Sequence, residues 1–149
     1  MKRFQFRLDA YLRYKEYLEQ KAKLELAKAG ADVIACEDRI NNLKDEYEQT
    51  LGKLDIETVS GIDANRYLRY NYYLSSLESS IKYEEDSHKK LLKILEEKQK
   101  NLSQKSIERK TIENLKDKQK EEYYKEMLIS QQKETDDITI LRKAREIQA

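Results

Sequence analysis

Asp55-Ile56-Glu57-Thr58-Val59-Ser60-Gly61-Ile62-Asp63 is the one stretch of this 149-residue sequence in which turn and capping residues gather. Ser60 or Asp63 can accept a hydrogen bond from the first free N–H groups of a following helix, so the stretch reads as a turn over about 55–62. On its N-terminal side, apolar residues advance in alternating steps of four and three through Ala22, Leu26, Ala29, Val33, Cys36, Ile40, Leu43 and Tyr47, then a weaker Thr50 and Leu54. That is the seam of a heptad-patterned helix. On its C-terminal side the same spacing resumes through Tyr67, Tyr70, Leu74, Leu77, Ile81, Glu84, His88, Leu91, Leu95, Lys98 and Leu102. Two such helices joined by a short connection pack antiparallel. The expected fold is therefore all-α, an antiparallel two-helix coiled-coil hairpin forming one unit over 1–149. Its helices run over about 8–54 and about 63–147, the second longer than the first.

Composition agrees with long helices. The chain is 38% hydrophobic and 40% charged, with three Gly and no Pro or Trp, too few turn formers for a compact core wrapped in loops. Its 11 Tyr and regularly spaced Leu and Ile oppose disorder. Thirty basic against 29 acidic side chains, finely interleaved, give no basic field for a nucleic acid backbone. The longest uncharged apolar run, Val33-Ile34-Ala35-Cys36, is far short of the roughly 20 residues a bilayer requires. Arg7 and Asp9 interrupt any signal-peptide pattern near the start, and a single cysteine fits a reducing compartment. A soluble cytoplasmic protein is expected.

Upstream of Ala22 the apolar steps become four and four, through Tyr14, Leu18, Ala22 and Leu26, which predicts a locally straightened supercoil. Gly30, between Ala29 and Ala31, reads either as a close approach of another backbone or as a glycine tolerated at a cost of about 1 kcal/mol. The unequal helix lengths place Leu8 opposite residue 109 and leave about 40 C-terminal residues uncovered. That tail carries a thin stripe of Ile112, Leu115, Tyr123, Met127, Ile138 and Leu141. A lone helix so patterned is marginal in water, so the tail and Phe4, Phe6 and Leu8 are expected to enter another protein or a second copy.

Catalytic chemistry is not expected. One His and one Cys cannot make a structural zinc site, and neither a calcium loop nor a Gly-rich phosphate loop occurs, so no metal or cofactor is expected. Neighbouring acids such as Glu84-Glu85 and Asp136-Asp137 arise from composition, and a helical hairpin lacks the cleft that shifts carboxyl pKa values. His88 and Glu84, four apart on the seam, read as a pH-sensitive pair or as a polar layer fixing register. Cys36 reads as a small seam residue. Tyr67, Tyr70, Tyr72 and Tyr73 cannot all face one partner helix. Tyr67 and Tyr70 suit the seam, and the others form either a docking surface near the turn or flank packing.

The residue strings resemble the FliJ family of the bacterial flagellar type III export apparatus. Phe4-Gln5-Phe6-Arg7-Leu8, followed by Leu12, Tyr14, Glu19 and Leu26-Ala27-Lys28-Ala29, is similar to the family's opening helix. Gly61-Ile62-Asp63-Ala64-Asn65-Arg66-Tyr67, then Tyr70, Leu77 and Ile81, resembles the start of its second helix. Glu113-Asn114-Leu115-Lys116 and Gln131-Gln132-Lys133-Glu134-Thr135-Asp136-Asp137 resemble its closing signature.

The resemblance implies a coiled coil similar to the central stalk of rotary ATPases. Such a protein binds the hexameric export ATPase, promotes its assembly and activity, contacts the cytoplasmic part of the membrane export gate protein FlhA, and handles export chaperones. It implies a gate-facing surface of Leu43, Tyr47, Tyr73, Leu77 and Ser80, where Glu84 and Glu85 depart from the family pattern by placing acids at the far edge. It implies an ATPase-facing end of Phe4, Phe6, Arg7 and Leu8 with Ile138, Leu141, Arg142 and Arg145. The expected location is the cytoplasm, with peripheral membrane association only through the apparatus. Two alternatives are the equivalent stalk of a virulence injectisome and a structural coiled coil that self-associates through its tail.

Overall fold

The computed structural model describes residues 3–148, which form two helices: α1, Asp9–Ser60, and α2, Ala64–Gln148. The second, of 85 residues against 52, packs back on the first as an antiparallel hairpin, the all-α architecture expected. The connection is shorter than the expected 55–62: only Gly61, Ile62 and Asp63 lie outside the helices. Thr58 Oγ1 donates to the Leu54 carbonyl at 2.7 Å and Ser60 Oγ to the Ile56 carbonyl at 3.1 Å, so both hydroxyls serve the end of α1. Ser60 therefore closes α1 instead of capping α2.

Gly61 follows with φ +93°, its N–H donating to the Thr58 carbonyl at 3.4 Å. A left-handed residue just past a helix end is the position that glycine fills without steric cost. Asp63 is the N-cap residue of α2, its carbonyl accepting the Tyr67 N–H at 2.9 Å. Glu57 ties the two helices beside the turn, accepting from Arg66 at 2.8 Å and from the Tyr70 hydroxyl at 2.9 Å.

The chain forms two compact units. In Gln20–Ser103, the buried residues are Ala22, Ala29, Val33, Cys36, Ile40, Thr50 and Leu54 of α1 with Leu74 and Leu77 of α2. Leu26, Leu43, Tyr47, Ile81, Leu91 and Leu95 are half-buried along the same stripes. Tyr67, expected on the seam, is exposed, because the stripe of α2 begins one step later at Tyr70. A side chain built at Gly30 would meet nothing within 4 Å, so no backbone approaches there and the glycine is simply tolerated.

The other unit comprises Met1–Glu19 and Gln104–Ala149. Its covered α1 positions are Asp9, Leu12, Lys15, Leu18 and Glu19, whereas Tyr14 is 54% exposed. Of the expected four-and-four run, Leu18, Ala22 and Leu26 are covered and Tyr14 is not, because charged residues also occupy the seam by pairing. Glu19, only 5% exposed, pairs with Arg109, which also binds Glu113, and Lys15 meets Glu108 at 2.9 Å. A search for apolar residues alone passes over such positions.

Asp9, next to Leu8, pairs with Lys116 at 2.8 Å, and the Phe4 ring packs 5.6 Å from that of Tyr123. Leu8 thus lies one heptad further along α2 than residue 109, as the tighter turn requires. Phe6 is buried, with the Lys116 ammonium 5.9 Å from its ring. The uncovered part of α2 is correspondingly shorter: Met127 is half-buried, and every described residue from Leu128 to Gln148 is exposed.

Gly61→Ala is expected to cost about 1–2 kcal/mol, because Cβ opposes the left-handed backbone although space is open around it. Thermal unfolding should show a fall of several degrees with helix content kept below the transition. The Lys116 ammonium and then the Arg13 guanidinium hold the Asp9 carboxyl below its ordinary 3.8, and Lys15 holds Glu108 below its ordinary 4.5. Their folded-state values lie below the unfolded ones, so their stabilisation is complete above the ordinary carboxylate range and is lost as pH falls through the lowered values. Hydrogen-exchange protection of residues 9–19 should therefore drop severalfold between about pH 6 and about pH 3, and Asp9→Asn with Glu108→Gln should flatten that dependence.

Candidate functional site

Midway along the Gln20–Ser103 unit, its flank carries an open groove of about 620 Å³. It is lined by Arg39, Asn42 and Leu43 of α1 and by Ser76, Ser79, Ser80, Tyr83 and Glu84 of α2. The groove follows from side-chain size. Ser76, Ser79, Ser80 and Tyr83 recur at helical spacing beside the seam residues Leu77, Ile81 and Glu84, and the serines are too small to fill the space next to Leu43. The helices keep their backbone ladder there while leaving a shallow, mixed apolar and hydroxylated trough.

Two of the sequence-predicted residues, Leu43 and Ser80, line this groove together. Leu77 is buried and does not line it. Tyr47 and Tyr73 are held on the flanks by carboxylates: the Tyr47 hydroxyl donates to Glu78 at 2.9 Å, and the Tyr73 hydroxyl donates to Glu46. Those carboxylates push both phenols above their ordinary pKa. Tyr73 therefore takes part in flank packing, while Tyr72 is 75% exposed. Arg39, Asn42, Ser76, Ser79 and Tyr83 were not singled out from the sequence. The signal was present in the Ser-rich run beside the seam, but serine carries no hydropathy cue.

The acids at the far edge are neutralised across the helix pair. Arg39 binds Glu84 at 3.2 Å, and Lys44 binds Glu85 at 3.3 Å. Cys36, fully buried, donates its thiol to the Glu84 backbone carbonyl at 3.4 Å, and burial pushes its pKa up. A thiol kept protonated in this way is a packing residue. His88 does not pair with Glu84, as the i, i+4 reading allowed, but with Glu37 of α1 at 3.0 Å, so it belongs to a polar cross-helix layer. Among the described residues no group of three His, Cys, Asp or Glu side chains gathers as a metal site.

A second surface lies in the other unit, on α2 beyond Met127. Leu128, Ile129, Ile138, Ile140, Leu141 and Ile147 are all exposed there, as are Arg142 and Arg145. Of the N-terminal residues expected to act with them, Arg7 and Leu8 are exposed, while Phe6 is buried and Phe4 is half-buried on Tyr123. The phenylalanines hold the non-helical start against α2; Arg7 and Leu8 are what that start presents. Among the described residues no helix is long and apolar enough to cross a membrane.

The solved structure of a protein described as a YscO homologue, CT670 from Chlamydia trachomatis, is similar at 19% sequence identity, a TM-score of 0.47 and 99% coverage of each chain. No curated protein matches the chain. The family model described as flagellar FliJ protein matches residues 4–147, taking in both helices, the turn and the uncovered end of α2. Over that span, the chain belongs to the flagellar FliJ protein family.

Proposed function

We propose that this chain is a non-catalytic stalk and escort of the bacterial flagellar type III export apparatus. In this reading the uncovered end of α2 engages the hexameric export ATPase, the groove meets the cytoplasmic part of the export gate protein FlhA, and export chaperones bind to the same rod. The protein works in the cytoplasm and reaches the membrane only through the apparatus. The observation that carries the reading is the run from Leu128 to Gln148, exposed throughout yet carrying six large apolar side chains, in a member of the FliJ family. A helix with no covering partner gains its stability from contacts made elsewhere.

The mechanism needs no chemistry from the chain itself. One helix contacting six similar subunits meets them unequally, and it shifts their nucleotide states only by binding some conformations better than others. Arg7, Leu8, Ile138, Leu141, Arg142 and Arg145 form the exposed part of the ATPase-facing set, with Phe4 and Phe6 holding the first two in place. At the groove, Leu43 and Ser80 make direct contact, while Leu77 stays packed in the seam and Tyr47 and Tyr73 extend the surface beyond the groove towards the turn.

The rate of ATP hydrolysis by the same organism's flagellar export ATPase, titrated with this protein, tests the reading. The full chain should stimulate it, and Ile138→Asp with Leu141→Asp should remove most of the stimulation at unchanged helix content, since both residues are exposed. Equal stimulation by both proteins would place the contact elsewhere. Stimulation only of an injectisome ATPase would move the chain to that system. Ser80→Arg, which fills the groove, should weaken binding to the FlhA cytoplasmic part about tenfold while leaving ATPase stimulation intact.

A further inference from the structure

The end of α2 carries a charge order that is complementary to its own reverse. An acidic run, Glu134, Asp136 and Asp137, precedes a basic run, Arg142, Lys143 and Arg145, with Ile138 and Leu141 between them. On the helix, Gln131, Glu134, Ile138, Leu141, Arg145 and Gln148 fall three and four residues apart in strict alternation and form one stripe. All six are exposed. From this arrangement we infer that the tail is an interaction surface for a second copy of this chain, the two tails pairing antiparallel about a point between Thr139 and Ile140.

In that register, the central layers place Ile138 against Leu141 of the second copy, and Leu141 against its Ile138. The next layers outward place Glu134 against Arg145 in both directions, and the outermost place Gln131 against Gln148. The seam of the hairpin already uses this kind of layer: Glu19 sits against Arg109 there, almost fully covered. Pairing in the parallel sense would stack Glu134 on Glu134 and Arg145 on Arg145, so like charges oppose it. Antiparallel pairing also sets the acidic half of each tail beside the basic half of the other, within the roughly 8 Å over which charges act at physiological salt. Only two apolar residues per copy enter the stripe, so the contact is weak and salt-sensitive. Because Ile138, Leu141 and Arg145 are also assigned to the ATPase, the paired form and the ATPase-bound form exclude each other, although self-pairing stands whether or not that assignment does.

Sedimentation equilibrium of the full chain without any ATPase is the test. At low salt the average mass should rise from 17.8 kDa towards twice that value with concentration, and the rise should shrink in high salt. Glu134→Arg and Arg145→Glu, each alone, should weaken the association at least about tenfold, while an equimolar mixture of the two, or the double variant, should restore it. Circular dichroism of each variant checks that helix content is kept. A chain that stays monomeric at about 0.5 mM overturns the inference. So does association that the single charge reversals leave unchanged, because both parallel tails and any other surface predict that result.

Discussion

Three residues between two long helices leave almost no choice of register. Gly61 takes the left-handed backbone that turns the chain, Asp63 starts the next helix, and Glu57 clasps Arg66 and Tyr70 across the gap. Once those contacts are made, the paired positions of α2 are assigned their partners on α1 by counting. Tyr47 meets Glu78, Glu37 meets His88 and Glu25 meets Lys98 in one unit; Lys15 meets Glu108 and Asp9 meets Lys116 in the other. The groove owes its position to the same count, because Leu43 comes to lie beside Ser80 rather than beside a larger residue.

The seam that this register creates is thin. Small residues occupy much of it on α1, and charged or polar side chains enter it at Lys15, Glu19, Glu84, His88 and Arg109. Cross-helix ion pairs on so exposed a structure contribute little stability each. Their value lies in specificity: a seam of leucine alone tolerates slippage by a heptad, whereas Glu19 finds an arginine in only one alignment. The buried thiol of Cys36 works in the same sense, since its donor is satisfied only where the Glu84 carbonyl comes opposite.

The hairpin was legible because two kinds of signal coincided. Steps of three and four run from Ala22 to Leu54 and from Tyr67 to Leu102, and the one cluster of turn residues lies between them. The details that escaped depend on side chains without a hydropathy signature. Thr58 and Ser60 read as turn formers but bond backward within α1, which shortened the connection and moved Leu8 along α2 by a heptad. Lys15 and Glu19 carry no hydropathy cue, so apolar spacing alone puts Tyr14 and Leu18 on the seam, where only Leu18 of that pair is covered. Of the residues that the family resemblance implies for a gate-facing surface, Leu43 and Ser80 line the groove. Leu77 was equally visible as a seam residue, and its burial follows from that. The serines that make the groove are defined by the volume they fail to fill.

Antiparallel register about Gly61 has one more consequence, for how such a chain can vary in length. Seven residues added to α1 alone would carry every residue upstream of them one heptad away from its partner, separating Glu19 from Arg109 and Asp9 from Lys116. Seven added to both helices at facing positions would leave those pairs matched. Changes in length within the paired region are therefore confined to matched heptads, while the end of α2 beyond Met127 can grow or shrink without disturbing a single pairing. The reach of the tail and the alignment of the hairpin are thus separable quantities, set by different parts of one helix.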